Sequence, residues 1–399
     1  MHFSRRAARI KVSPSNAAAQ RARDLKAAGR DIISLGQGEP DFPTPAHIIE
    51  AAHRAMRDGQ TRYTTVDGTP ELKAAVVEKF RRENGLIFTP ENISVGAGGK
   101  QVLFNAFMAT LDPGDEVIIP APYWVSYPDM VLFAEGTPVC VATRPEDGLK
   151  LQPADLEAAI SPRTRWLVLN SPCNPTGSVY SGDEFRALAA VLERHPQVWV
   201  LVDDMYEHIL YDGRRFETFA AAAPQLADRT LTVNGVSKTY AMTGWRIGFA
   251  GGPAALIKTM QKMQSQSTAN PSSVSQAAAV AALNGPQQIV AERCAEFEAR
   301  RNAIAPRLAA IRGLACDKPH GAFYFYISCA GLIGKRTPAG RAIATDEDLV
   351  LYLLDDAGVM LIHGGAYGIS PWFRASFATS MDNLEAACGR IEKAVEKLG

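Results

Sequence analysis

The sequence predicts an α/β protein: a large domain with a mostly parallel sheet flanked by helices, plus a smaller α+β domain. Three observations predict the two-part layout. Short apolar runs alternate with helical patterns between residues 46 and 265. Clusters of Pro and Gly at 36–45, 111–122, 171–177 and 363–371 punctuate the chain. Beyond residue 286 the pattern changes to one long helical stretch followed by short β-like segments. Strand–helix alternation calls for crossover connections, which cover both faces of a parallel sheet. A chain of 399 residues suffices for one large and one small domain, each with its own core.

The elements follow in order. Strand-like runs lie at 93–95, 116–119, 166–170, 198–203 and 230–234. Helical patterns lie at 46–58, 71–84, 100–111, 153–160, 182–194 and 254–265. Thr44-Pro45 reads as an N-cap followed by Pro at the first helical position. A long helix is expected over 286–312 and β-like segments at 323–328, 359–362 and 372–378. The last helix places Leu384, Cys388, Ile391, Val395 and Leu398 on one stripe. The expected division is an N-terminal arm with part of the small domain (1–45), a large domain (46–295) and a small C-terminal domain (296–399). No long linker separates the domains, so they should share an interface where ligand pockets form.

Composition excludes several function classes. Lys+Arg and Asp+Glu both number 42, so the formal charge is zero and no basic surplus marks a nucleic-acid or acidic-membrane binder. No apolar run approaches ~18 residues, so no membrane span is expected. The six cysteines form no CxxC pair and no group with histidines. They read as thiols in a reducing compartment, which points to the cytoplasm, and no metal centre is expected. Residues 5–30 carry eight basic residues and one acid, Asp24. Arg-rich leaders can be transit peptides, but no apolar h-region follows, and an arm packed on the fold is the preferred reading.

Chemistry-bearing residues sit at successive strand ends. Gly96, Gly98 and Gly99 open a helix whose backbone N–H groups suit a phosphate. This is not a Walker A loop, because Ser94 stands where its first Gly belongs and Gln101 replaces its Ser/Thr. The third glycine of the dinucleotide fingerprint is also missing, and a dehydrogenase built on this loop would leave Lys238 without a use. Asn174 lies in a loop stiffened by Pro172 and Pro175, at the sheet edge where ligands bind in open α/β folds. Asp203 and Asp204 end an apolar strand. Adjacent strand residues point to opposite faces, so one of the two faces the site; Asp204 reads as solvated or capping. Lys238 follows the next strand directly, where a buried amine is costly unless neutralised or covalently engaged. Lysine forms Schiff bases with carbonyl compounds, including pyridoxal phosphate.

With these residues in view, the chain resembles the fold-type I, class I/II aminotransferases that use pyridoxal phosphate. The segments that carry the resemblance are 34–45 (SLGQGEPDFPTP), 63–72 (YTTVDGTPEL), 96–101 (GAGGKQ) and 120–128 (PAPYWVSYP). Four more follow in family order: 170–177 (NSPCNPTG), 203–209 (DDMYEHI), 237–248 (SKTYAMTGWRIG) and 373–379 (FRASFAT). Residues 96–131 look most like the bacterial aspartate and aspartate/prephenate aminotransferases. The resemblance implies exchange of amino groups between L-aspartate and 2-oxoglutarate, with prephenate as a second acceptor. The alternatives are an aromatic or alanine aminotransferase, or a lyase with the same cofactor.

The same resemblance implies roles. Lys238 would carry the cofactor's Schiff base and shuttle the proton. Asp203 would pair with the pyridine nitrogen, Asn174 and Tyr206 with the 3′-oxygen, and Trp124 would stack on the ring. Gly98, Gly99, Lys100, Ser237 and Arg246 lie where the family binds the phosphate, and Tyr63 matches a tyrosine donated across a homodimer interface. Arg374 would clamp the substrate α-carboxylate, with the backbone of Gly38 beside it and Trp124 and Asn174 also touching substrate. Two departures stand out. Gly235 occupies a position where many relatives have a phosphate-binding Ser, which leaves that role to Ser237 or the glycine cradle. No arginine in 264–270 is available for a distal carboxylate. That leaves Lys11 in the N-terminal arm, the favoured candidate, or Lys100.

Overall fold

The computed structural model describes residues 3–12 and 14–399. A seven-stranded sheet forms the centre, from β2 (Ile93–Gly96), β3 (Glu116–Ala121), β4 (Thr137–Ala142), β5 (Thr164–Asn170), β6 (Trp199–Asp203), β7 (Thr230–Gly235) and β8 (Gly248–Gly251). The strand order is β2-β8-β7-β6-β5-β3-β4, and only β8 runs against the others. The expected mostly parallel sheet is therefore present, with one antiparallel strand that its glycine-rich sequence, Gly-Phe-Ala-Gly, had hidden.

Alternation along each buried strand feeds two cores. Val200 and Val202 of β6, with Leu167 and Leu169 of β5, pack against the helix Gly182–Leu192. Leu201 and Val168 point the other way, towards the helices Gly99–Thr110 and Ala254–Ser265. Period-2 geometry requires this split. A third core lies among the helices Ala46–Arg57, Pro70–Asn84 and Ser273–Asn284. The last of these was not read from the sequence; its run of alanines carries little amphipathic signal.

Thr44 does not cap the first large-domain helix. Pro45 takes the N-cap position and provides no side-chain bond. The Thr44 hydroxyl instead donates to Ala241 O at 2.7 Å and accepts from Trp245 Nε1 at 3.0 Å. A tertiary contact has outcompeted the local one, tying the segment before the helix to the loop after β7.

The C-terminal unit is built on an antiparallel sheet, β12-β13-β10-β9, from β9 (Ala315–Cys316), β10 (Tyr324–Ser328), β12 (Ile362–His363) and β13 (Trp372–Ser376). The helix Gln288–Ala310 is continuous across residues 295 and 296. The stripe Leu384, Cys388, Ile391, Val395 and Leu398 is buried, as its spacing requires. Near the N-terminus, β1 (Ile33–Ser34) pairs with β11 (Val359–Met360), so the N-terminal segment joins this unit. The helix Pro14–Ala27, also unread in the sequence, precedes it. No helix among the described residues is long and apolar enough to cross a membrane.

Candidate active site

The C-terminal ends of the parallel strands converge on a cavity of about 360 Å³. The register places Asn170 beside Asp203, and Gly248 beside both Gly96 and Gly235. A Cβ on Gly248 would meet the Gly99 nitrogen at 2.1 Å. Glycine there lets the N-terminus of the helix Gly99–Thr110 sit directly on the sheet edge. Gly98 caps that helix at φ 86°, and a Cβ on it would strike the Arg246 guanidinium. The unpaired first-turn N–H groups of the helix thus abut the cavity.

Of the residues singled out in the sequence, the structure gathers Gly38, Gly99, Lys100, Trp124, Asn174, Asp203, Tyr206, Ser237, Lys238, Arg246 and Arg374 around this one space. Lys238 donates from Nζ to Gly38 O at 2.5 Å. Burial pulls its pKa down to about 8. Glu39 and Asp203 oppose that shift, and Arg246 and Arg374 add to it. Asp203 is also buried, which pushes its pKa up. The Tyr127 hydroxyl donates to its Oδ2 at 2.7 Å and the Met205 N–H to its Oδ1 at 3.2 Å, and both favour the anion. Burial drives the Tyr127 phenol well above its usual range, so it stays protonated as a donor.

Arg374 is 3% exposed. It donates to Asn174 Oδ1 at 2.9 Å and Gly36 O at 2.6 Å, while its Nε finds no partner among the described residues. Lys100 stands 4.9 Å from the centre of the Trp124 ring, and burial, with Arg246 nearby, lowers its pKa. Among the described residues Arg246 donates to the carbonyls of Thr243 and Ala97. Four cations therefore face one cavity, and none has a carboxylate within ion-pair distance among the described residues. Such a site is built for ligands with several negative charges.

Two sequence-selected residues lie elsewhere. Tyr63 is 92% exposed and outside its own chain's cavity. Lys11 is exposed, with its backbone N–H 3.5 Å from Asp129 Oδ1. The N-terminal helix lines the cavity with Asn16 and Ala19 instead. At Gly235, a Cβ would come within 3.1 Å of both Ile247 O and the Met205 methyl, leaving little room for a serine. Ser237 reaches the cavity wall in its place.

Asp204 corrects the expectation of a solvated or capping side chain. It is 0% exposed and faces away from the cavity, where burial and the neighbouring Glu207 raise its pKa well above the carboxylate range. It borders an ionic network behind the site. Lys79 pairs there with Glu207 and, at 3.6 Å, with Glu83; Asn84 donates to Glu207 at 2.6 Å; His208 reaches Glu83 at 3.2 Å and Thr239 at 3.0 Å. Glu83, Glu207 and His208 are close enough to share a cation, and the Lys79 ammonium already provides one.

Several site residues escaped the sequence reading. Tyr127 holds Asp203. Asn170 donates to the Asp203 carbonyl at 2.7 Å and accepts from the Asn174 N–H at 2.8 Å, tying the loop after β5 to the end of β6. Tyr324 touches both Tyr206 and Arg374. Tyr127 and Asn170 lie inside quoted segments, but only the fold gives them partners.

Comparison with known proteins agrees with this arrangement. Residues 30–391 match the family of class I and II aminotransferases. The chain is 57% identical over 378 residues to the aspartate aminotransferase of Rhizobium meliloti (strain 1021), covering 95% of this chain and 92% of that protein. It is 56% identical over 385 residues to the aspartate/prephenate aminotransferase of Cereibacter sphaeroides, covering 96% of each. Among solved structures, the Rhizobium meliloti aspartate aminotransferase superposes with a TM-score of 0.97 at 55% identity, with all of both chains covered. The Thermus thermophilus aspartate aminotransferase with maleate gives 0.91 at 42% identity, covering 99% of this chain and 100% of that one. A family match over nine-tenths of the chain, on top of a lysine, an aspartate and an arginine converging on one cavity, makes this protein an enzyme of the class I and II aminotransferase family.

Proposed function

We propose that this enzyme is a pyridoxal-phosphate-dependent aspartate aminotransferase that moves the amino group of L-aspartate to 2-oxoglutarate in a ping-pong cycle, with prephenate as a second acceptor. The observation that carries the reading is the set of four cations around one cavity with no ion pair among the described residues, a buried amine being one of them. A cofactor with a phosphate and substrates with two carboxylates match that charge. The names of the relatives favour aspartate, and the aspartate/prephenate relatives favour prephenate.

The residues fit the cofactor. The helix N-terminus at Gly98–Lys100, with Ser237 and Arg246, would hold the phosphate. Asp203 would face the pyridine nitrogen, Asn174 and Tyr206 the 3′-oxygen, and Trp124 the ring face. When bound, pyridoxal phosphate supplies an aldehyde that captures amines and a ring that draws electrons from the substrate Cα. The protein's own groups do the rest. Arg374, already oriented by Asn174 and Gly36, clamps the α-carboxylate as a planar fork. The Tyr127 and Met205 bonds favour the Asp203 anion against its burial, and that anion would hold a proton on the ring nitrogen. Lys238 Nζ takes and returns the substrate Cα proton, a task its lowered pKa suits. All six cysteines are unpaired, which supports a reducing compartment such as the cytoplasm.

The distal carboxylate has two candidate lysines. The cavity position of Lys100 favours it over Lys11. Lys100→Met should lower kcat/KM for aspartate and 2-oxoglutarate by about 10- to 100-fold, the loss of one charge-assisted bond, while alanine turnover changes little. Cofactor affinity measured alongside separates any effect at the phosphate. The same selective loss in Lys11→Ala, with Lys100→Met unselective, would move the role to Lys11. Stoichiometric transfer from aspartate to 2-oxoglutarate, run on a panel of amino acids and prephenate, tests the function itself. A product lacking the transferred amino group would refute it.

We also propose a homodimer with shared sites. Tyr63 is exposed on one chain alongside Ile49, Met56 and Ile87, and a second copy would cover such groups. Tyr63→Phe should weaken cofactor binding roughly 3- to 10-fold by removing one hydrogen bond. A fully active monomer in sedimentation would overturn the shared site.

A further inference from the structure

Tyr324 opens β10 and is fully buried. Its hydroxyl lies 2.8 Å from that of Tyr206, and the two rings meet edge to face at 5.8 Å. The Arg374 guanidinium carbon stands 4.4 Å from the centre of the Tyr324 ring. A Cβ on Gly38 would come within 2.8 Å of the Tyr324 hydroxyl, so only glycine at residue 38 lets the phenol stand there. β10 and β13 pair with Tyr326 directly opposite Arg374, and Tyr324 lies two residues along on the same face. One phenol therefore touches the guanidinium, the Gly38 loop and Tyr206 together.

We propose that Tyr324 is a positioning residue that sets the hydrogen-bonding strength of Tyr206 and transmits to it whether a carboxylate occupies Arg374. The proposal rests on the cofactor reading of the cavity given above. A cation over an aromatic face is held by the ring's quadrupole, and in a buried site that attraction is strong. An anion captured by Arg374 offsets the charge over the Tyr324 ring and so alters the partner of the Tyr206 hydroxyl. The charged and titratable groups facing this pair come from several elements. Arg374 belongs to β13, Asp203 ends β6, and Lys238, 6.0 Å from the Tyr206 ring centre, follows β7. Glu39 acts on both Tyr324 and Lys238, and Arg246 acts on Lys238.

The test follows the absorbance of the bound cofactor against pH in the holoenzyme, with and without saturating maleate, an unreactive dicarboxylate. In the unmodified protein maleate should raise the titration midpoint, because neutralising Arg374 favours the protonated form nearby. In Tyr324→Phe the midpoint without maleate should rise by about 0.4–1 pH unit, the worth of one hydrogen bond. The sign belongs to the arrangement proposed, in which Tyr324 donates to the Tyr206 oxygen and Tyr206 to the ring oxygen: without the first donor, Tyr206 donates more weakly and leaves more negative charge on the ring oxygen. The maleate response should shrink. Tyr206→Phe combined with Tyr324→Phe should titrate as Tyr206→Phe alone. A Tyr324→Phe protein that titrates and answers maleate like the unmodified one overturns the proposal, even if its melting temperature falls. An additive double variant overturns it as well. Absence of any cofactor band in the unmodified protein would instead defeat the cofactor reading, so the two failures are distinct.

Discussion

Lys238→Ala is expected to leave a folded protein that binds pyridoxal phosphate only reversibly and turns over at a small fraction of the original rate. Among the described residues Lys238 Nζ makes one hydrogen bond, to the Gly38 carbonyl, so truncation removes little structural support. Loss of proton transfer alone costs about 10²–10⁴-fold, and loss of covalent capture adds to it. The lowered pKa has a consequence for pH. The nucleophile is the neutral amine, populated above the pKa. With that pKa at about 8 rather than the ordinary lysine value of 10.5, capture of the cofactor by the apoenzyme should accelerate up to about pH 8 and then level off. Hydride reduction of the loaded enzyme, followed by peptide mapping, should place the label on Lys238. A label on another lysine, or substantial turnover in the alanine variant, would contradict the assignment.

Asp203→Asn and Asp204→Asn should separate sharply, although the two residues are neighbours. Asp203 faces the cavity, where hydrogen bonds from Tyr127 and Met205 favour its anion. Removing the charge there should cost at least about 10–100-fold in kcat, the range of one charge-assisted bond, with a near-normal melting curve. Asp204 lies on the opposite face, fully buried, with its pKa raised well above the usual range. A neutral amide is close in shape and charge to a protonated acid, so Asp204→Asn should retain most activity. Asp204→Ala removes a buried polar group beside the Lys79–Glu207 pair and should lower stability by about 1–3 kcal/mol. Equal activity losses in the two asparagine variants, or the reverse order, would refute the division of roles.

The residues read in the sequence were those whose type is costly at their position. A lysine after a buried strand and an acid at the end of another stand out against their neighbours, whereas Arg374 entered only through the family resemblance. Tyr127 and Tyr324 did not stand out, because a buried tyrosine is ordinary packing until its partner is known. Their partners lie 76 and 118 residues away. Thr44 carried a strong local cap signal that the fold did not use, because Ala241 and Trp245, brought close by the sheet, compete for its hydroxyl. β8 was unread because two of its four residues are glycines, Gly248 needed where the strand lies against the helix at Gly99 and Gly251 where it lies against the Phe88 ring.

By itself the sequence determined the alternation of strands and helices through most of the large domain, the mostly parallel character of the sheet and the chemical types at the strand ends. Those properties depend on periodicity and on backbone preferences within a few residues. The tertiary structure decided which aspartate faces the cavity, which lysine lies inside it, and which groups hold the buried charges in their working states. These depend on burial and on fields from residues far apart in the chain. Lys100 and Lys11 are equivalent as letters. Only the fold gives one a place above Trp124, inside the cavity, and leaves the other in solvent.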